Sequence, residues 1–369
     1  MKVDPKLLLD VRKYGDFDVT GCFNCGSCTV KCNLSKDSPS FPRRSMRHVV
    51  MGLRDPLNSS LEPWLCYYCG DCSKTCPRQT EPGEAMMTLR RYLTSKYDWT
   101  GLASKFYRSK AWEIGAILVV GAFVVLLAML FHGPIVTDRV ELNTFAPVEQ
   151  VHLFDMIMFS VLSFFIISNA FNMFMLTMYK DKSVKIPFSL YITQLKELIV
   201  HAVTQKKFKE CSNDNRWIKH WLIVIGYATM FILVVVFLGW FQTDNIYPIY
   251  HPQRWLGYFA TVVLVFFTAD ILYGRIVKRD QIHRFSHLSD WLFPILLLLT
   301  AVTGIAVHLF RYMSFPLPTY YTYVAHMAIA VPMLVVEVPF GKWSHLVYRP
   351  LAVYFQSVKD KAMQLKAGE

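Results

Sequence analysis

Cys22-Phe23-Asn24-Cys25-Gly26-Ser27-Cys28-Thr29-Val30-Lys31-Cys32 and Cys66-Tyr67-Tyr68-Cys69-Gly70-Asp71-Cys72-Ser73-Lys74-Thr75-Cys76-Pro77 share one spacing, C-x₂-C-x₂-C-x₃-C. Each ligand of the second run follows its counterpart by 44 positions, and eight of the nine cysteines fall in the pattern. This run binds [4Fe–4S] clusters, and in paired runs the fourth cysteine ligates the other cluster. The expected ligand sets are therefore Cys22, Cys25, Cys28 and Cys76 for one cluster, and Cys66, Cys69, Cys72 and Cys32 for the other. Four-cysteine zinc sites instead show two close pairs with a spacer between them. Disulfides would not persist in a segment facing a reducing cytoplasm. Asn33 stands where a proline often follows the fourth cysteine, but that position is not a ligand. Cys211 stands alone and reads as an ordinary free thiol.

Outside this segment the chain is apolar, 53% of 369 residues. Runs of about 20 apolar residues are the signal of membrane spans. Six occur, at Ala111–Phe131, Val151–Tyr179, Trp217–Trp240, Trp255–Ile276, Trp291–Phe310 and Tyr320–Trp343. Aromatic residues mark many of their ends. The expected organisation is a polar domain over 1–110, a membrane domain over 111–343 with a loop at 180–216, and a tail over 344–369. The N-terminus lacks the apolar core of a signal peptide.

The net charge of +12 would suit a nucleic-acid partner, but its distribution excludes that class. Seventeen Lys or Arg lie in the loop 179–216, the segment 275–290 and the tail from Lys342; the opposite connections hold only Arg139, Arg254 and Arg311. This asymmetry predicts a multi-pass inner-membrane protein with the cysteine domain, the basic loops and both termini in the cytoplasm. Contact with anionic lipid headgroups follows from the same charge.

No alternating strand pattern occurs in the first 110 residues. Phe41–Leu53 and Glu84–Tyr97 read as helices, so the cluster domain is expected to be helical. Arg43, Arg44 and Arg47 form a basic face that is either solvated or docks an acidic partner. Ser189–Thr204 reads as an amphipathic helix lying in the plane of the inner surface.

Several histidines lie near ends of the spans, and ionisable residues there default to function. Non-covalent b haem needs one histidine from each of two facing elements at one depth. No C-x-x-C-H attachment motif is present. His220, His287 and His345 are inner; His152, His251, His308 and His326 are outer. The expected inner pair is His220 with His345. His326 is expected near the outer end of span six, with His152, His251 or His308 as its partner, or none. The buried acids Asp155, Asp270, Asp290 and Glu337 could serve proton exchange with a quinone, or be paired end residues, such as Asp270 with Arg275. There is no G-x-G-x-x-G and so no dinucleotide or flavin fold. A metal-stapled scaffold or transporter is the reading from another class, and an optical spectrum separates it from a redox protein.

These features resemble a known family. The segments Cys22–Cys32 and Trp64–Pro77 resemble the C subunit of heterodisulfide reductase, a helical two-cluster ferredoxin. His251-Pro252, Thr303-Gly304 with Arg311, Lys342-Trp343-Ser344-His345 and Tyr348-Arg349-Pro350 resemble its haem b membrane subunit and, distantly, the gamma subunit of respiratory nitrate reductase. The fusion is similar to the membrane subunits of quinone-interacting membrane-bound oxidoreductases. The resemblance implies an all-α fold, a helical two-cluster ferredoxin joined to a six-helix haem b bundle. It implies two [4Fe–4S] clusters, two haems b, menaquinone as bound substrate, and two cytoplasmic flavin and iron–sulfur subunits as partners. It further implies electron delivery to adenylylsulfate reductase in sulfate respiration, or else membership of another heterodisulfide-reductase-like complex with a different acceptor. In the gamma subunit one helix supplies two histidines about ten positions apart; here Met230 stands at that offset from His220.

Overall fold

The computed structural model describes residues 2–15, 19–36, 40–181, 185–210 and 214–368, and among these there is no β-strand. Cys211 lies outside the described residues. Helices α1 (Arg43–Val50), α2 (Pro82–Tyr97) and α3 (Leu102–Arg108) shape the first domain. Pro82 opens α2 in the first turn, where its missing N–H costs nothing. Ala85, Met86, Leu89, Tyr92, Leu93 and Tyr97 of α2 are fully buried, so α2 is the central strut of the domain.

The two cysteine runs fold alike. Gly26 and Gly70, at equivalent positions, have φ of +92° and +88°, and each precedes a short helix carrying the third cysteine, Ser27–Lys31 or Asp71–Lys74. Asn24 and Tyr68 also match, at φ of +55° and +52°. Left-handed residues curl each loop back on itself, and glycine does so without a Cβ penalty.

Six helices are long and apolar enough to cross a membrane. They are α4 (Lys110–Phe131), α5 (Val148–Phe174, continued by a π turn over Met175–Tyr179), α7 (Asp214–Val235), α8 (Pro252–Ile276), α9 (Ser289–Tyr312) and α10 (Pro316–Pro332, continued by a π turn over Met333–Glu337). Leu118, Val119, Met129 and Leu130 of α4 point outward, as lipid-facing residues of a multi-pass membrane protein do. Helix α6 (Leu195–Thr204) lies in the basic loop, and α11 (His345–Gly368) closes the chain.

Three sequence expectations need correction. Ser189–Thr204 is not one helix: it is broken at Gln194 into Phe188–Thr193 and α6. The third and sixth spans end earlier than their aromatic markers. α7 stops at Val235, short of Trp240, and the sixth span stops at Glu337, with Trp343 in a 3₁₀ turn over Lys342–Ser344. Pro332 cannot donate to the carbonyl one turn back, and the wide turn that follows loosens and ends that span.

The last helix is part of the first domain's core. Ala352, Val353 and Val358 of α11 are buried in one apolar cluster with α2 residues. Trp64, Tyr97 and Tyr348 form an aromatic triad, with ring centroids 5.1 Å (Trp64–Tyr348) and 5.2 Å (Tyr97–Tyr348) apart. The Trp64 indole N–H also donates to the Tyr97 hydroxyl at 3.3 Å. Trp64→Ala is expected to destabilise the domain by about 3–5 kcal/mol, read as a lower temperature of cluster loss. An unchanged transition would show that the triad is peripheral.

Candidate functional site

The fold brings the cysteines together across the two runs. One cavity is lined by Cys32, Cys66, Cys69 and Cys72. A second is lined by Cys22, Cys25, Cys28 and Cys76. The grouping arises because each run curls round its own three cysteines and sends the fourth toward its neighbour. Arg78, just past Cys76, anchors the second run to the first by donating to the Gly21 carbonyl at 3.3 Å. Among the described residues no three His, Cys, Asp or Glu side chains converge closely enough for a single metal ion. A cuboid cluster, with one iron per thiolate, needs its sulfurs farther apart than four ligands of one zinc.

The two cavities differ in exposure. Cys66 and Cys72 are buried, whereas Cys25 is exposed. Burial pushes the Cys32 thiol up to about 12 and raises Cys66 and Cys72 as well. A coordinating iron would hold such thiols deprotonated. The Tyr68 N–H donates to Cys66 Sγ at 3.3 Å, and Thr80 Oγ1 lies 3.3 Å from Cys76 Sγ. Bonds of this kind tune cluster potentials.

Beneath the buried cavity stand two histidines. His220 is on the first turns of α7, and His345 opens α11 just beyond the sixth span. Their ring centroids are 6.2 Å apart, at 55°. A metal ion about 2 Å from one nitrogen of each ring fits that gap. His220 Nδ1 is 2.7 Å from Gln205 Oε1, and His345 Nδ1 is 2.7 Å from the Lys342 carbonyl. Both partners are acceptors, so both Nδ1 atoms carry the proton and Nε2 is the nitrogen left to a metal. Burial, with Arg349 beside it, holds His345 well below its ordinary value, so the ring is neutral as a ligand must be.

The pair is joined to the buried cavity by packed side chains. Tyr67, adjacent to Cys66, stacks on Phe208 at 4.8 Å, and Phe208 meets the His220 ring edge-on at 5.5 Å. Arg349, one turn after His345, donates to the Cys66 carbonyl at 2.9 Å and covers Tyr67 at 4.5 Å. Sequence reasoning missed Gln205, Tyr67, Phe208 and Arg349 as parts of this site. Nothing in the linear pattern links a basic-loop glutamine to a membrane histidine.

The other histidines are not so arranged. His326 lies near the middle of its span, Pro316–Glu337, not near the outer end; the span begins earlier than Tyr320 because Pro316 starts the helix. His326 Nδ1 is 3.0 Å from Thr303 Oγ1, and its ring lies over Gly304, where a Cβ would come within 3.2 Å of the ring. The His220–His345 contact is the one between two histidine rings among the described residues. His308 Nε2 pairs with the Tyr258 hydroxyl at 2.8 Å. His251 caps α8 and stacks on Tyr247 at 4.2 Å. His152 lies near Asp155. His287 donates from Nε2 to the Tyr107 carbonyl at 2.9 Å and accepts the Ser289 N–H on Nδ1 at 3.2 Å, so both ring nitrogens are engaged. Asp270 pairs with Lys219 at 2.7 Å and Arg279 at 2.9 Å, not with Arg275. Residues five apart do not share a helix face, and Arg275 turns instead to the Ser286 hydroxyl at 3.1 Å.

Residues 18–80 match the family of 4Fe-4S dicluster domains. The chain is 30% identical over 100 residues to a protein of Archaeoglobus profundus that is itself like the C subunit of heterodisulfide reductase, covering 27% of this chain and 53% of that one. It is 33% identical over 78 residues to an iron–sulfur C subunit of the CoB–CoM heterodisulfide reductase of Methanocaldococcus jannaschii, covering 21% and 41%. It is 34% identical over 89 residues to the C subunit of the ferredoxin:CoB-CoM heterodisulfide reductase of Methanosarcina mazei, covering 24% and 55%. The chain thus spans about half the length of the curated relatives it matches. No solved structure matches it. The first part of the chain is thus similar to iron–sulfur dicluster domains. More particularly, it is similar to the C subunits of heterodisulfide reductases, here followed by six candidate membrane helices.

Proposed function

We propose that the chain is the membrane subunit of a quinone-linked oxidoreductase. It carries electrons between menaquinol and cytoplasmic flavin and iron–sulfur subunits. The observation that carries this reading is the packed connection from the buried cysteine cavity through Tyr67 and Phe208 to the paired rings of His220 and His345. Cys22, Cys25, Cys28 and Cys76 would hold one [4Fe–4S] cluster, and Cys66, Cys69, Cys72 and Cys32 the other. His220 and His345 would hold an inner haem b, oriented by Gln205 and the Lys342 carbonyl. His326 remains the candidate ligand of an outer haem. When bound, these groups supply one-electron transfer.

The protein's own residues do the rest. Phe41, Leu34 and Met86 of α2 line the buried cavity and keep water from it. The exposed side at Cys25 lets electrons leave to a partner, with Arg43 and Arg78 beside it. The charge asymmetry favours the cytoplasmic side for this domain. Adenylylsulfate reductase is the further acceptor this reading favours. The similarity to heterodisulfide reductase subunits favours a second reading, a sister complex with a different acceptor.

Purified full-length chain is expected to contain about eight iron and eight sulfide per polypeptide, with reducible b-type haem bands in its optical spectrum. Menaquinol analogues should reduce both. Zinc in place of iron, or a spectrum without haem bands, would overturn the respective assignment. A neighbouring gene set without flavoprotein subunits would favour the second reading.

A further inference from the structure

A buried knot of charge joins Asp290 and Glu337, two acids the sequence marked, to Glu113, which it did not. Glu113, on the first turn of α4, is 1% exposed, and Glu337, at the end of the sixth span, is fully buried. α4 packs against the π turn that ends in Glu337, which makes the two carboxyl groups neighbours. Both oxygens of Glu113 and Oε1 of Glu337 are buried without a hydrogen-bond partner, while Glu337 Oε2 accepts the Lys342 N–H at 2.9 Å.

Every element packed around them contributes a charged or titratable group. From α9, Asp290 pairs with the Lys342 ammonium and lies 3.8 Å from Arg91 of α2. Arg91 also pairs with Glu84 at 2.6 Å. Arg275 of α8 faces Asp290, and Tyr107 of α3 borders both glutamates. If all these groups were ionised, four carboxylates (Glu84, Glu113, Asp290 and Glu337) would face three cations (Arg91, Arg275 and Lys342). A single proton makes the knot neutral. An uncompensated charge in such a place is costly, and two carboxylates in contact with no cation between them share a proton readily.

Lys342 ties this knot to the paired rings. Its N–H bonds Glu337 and its carbonyl accepts the His345 Nδ1–H. We propose that Glu113 and Glu337 form a proton-binding site that takes up one proton from water when the redox centre at His220 and His345 is reduced by one electron. The reading of that histidine pair as a haem site underlies this step. The electron comes from a quinol or, in the assay, from dithionite. The proton ends on a carboxylate oxygen of the pair and offsets the added negative charge.

The test uses the full chain with its cofactors, in detergent. A redox-difference infrared spectrum of the unmodified protein should contain a protonated-carboxyl band that shifts in D₂O. E337Q and E113Q should each abolish it. The haem midpoint potential should fall as pH rises in the unmodified protein, by at most about 59 mV per unit, the one-electron equivalent of a tenfold change in proton activity. The same potential should be flat with pH in E337Q. Haem bands with a pH-independent potential and no carboxyl band in the unmodified protein would overturn the proposal alone, without recourse to any variant. Absence of haem bands would overturn the histidine reading and this step with it.

Discussion

Cys76→Ser is expected to abolish the cluster of the other run. The serine should remove the paramagnetic signal of the cluster held by Cys22, Cys25 and Cys28, and lower bound iron from about eight to about four per chain. The reason is geometric: Cys76 lines the cavity of the first run, and Cys32 that of the second. The comparison that decides is between variants. Cys76→Ser should give the same spectrum as Cys25→Ser, whereas Cys69→Ser should give its complement. If Cys76→Ser and Cys69→Ser lose the same cluster, the crossed assignment is wrong.

His345→Ala and His220→Ala are each expected to remove the inner haem entirely and leave menaquinol unable to reduce the clusters. Both rings stand in one gap, and each has one nitrogen engaged by an acceptor. With either ring gone, no other histidine ring among the described residues lies within contact of the survivor. Gln205→Ala should be milder, weakening haem retention by about 10–100-fold, as the loss of an orienting partner does. His326→Ala should leave the inner haem intact. Haem stoichiometry and stopped-flow reduction of each variant measure these effects. Full haem content and unchanged reduction in His345→Ala would reduce His345 to an interfacial residue.

The sequence made the helical class, the cluster domain and the six spans readable for a simple reason. Cysteine spacing and long apolar runs are local signals, and their physical causes act within one segment. The ranking of His220 with His345 also rested on local signals, namely depth in a span and the side of the charged loops. What could not be read depends on the meeting of distant segments. Gln205 reaches His220 only because α6 folds back over the start of α7. Glu113 lies inside the first apolar run with nothing to single it out, and only the packing of α4 sets it beside Glu337. The break at Gln194 and the pairing of Asp270 with Arg279 were misjudged because helical periodicity says nothing of where a helix yields or how the chain curls after its end. The depth of His326 was misread because Pro316, not the first tyrosine, starts the helix.

The placement of α11 bears on how this protein is made. The cysteine domain leaves the ribosome before the six candidate spans, and domains ordinarily fold in that order. Yet Tyr348, Ala352, Val353 and Val358, which complete its interior, follow all six candidate spans along the chain. All six candidate spans are translated in between. The interior of the cysteine domain is therefore closed only after the six candidate spans have been translated, so membrane insertion precedes the final packing around the cysteine cavities.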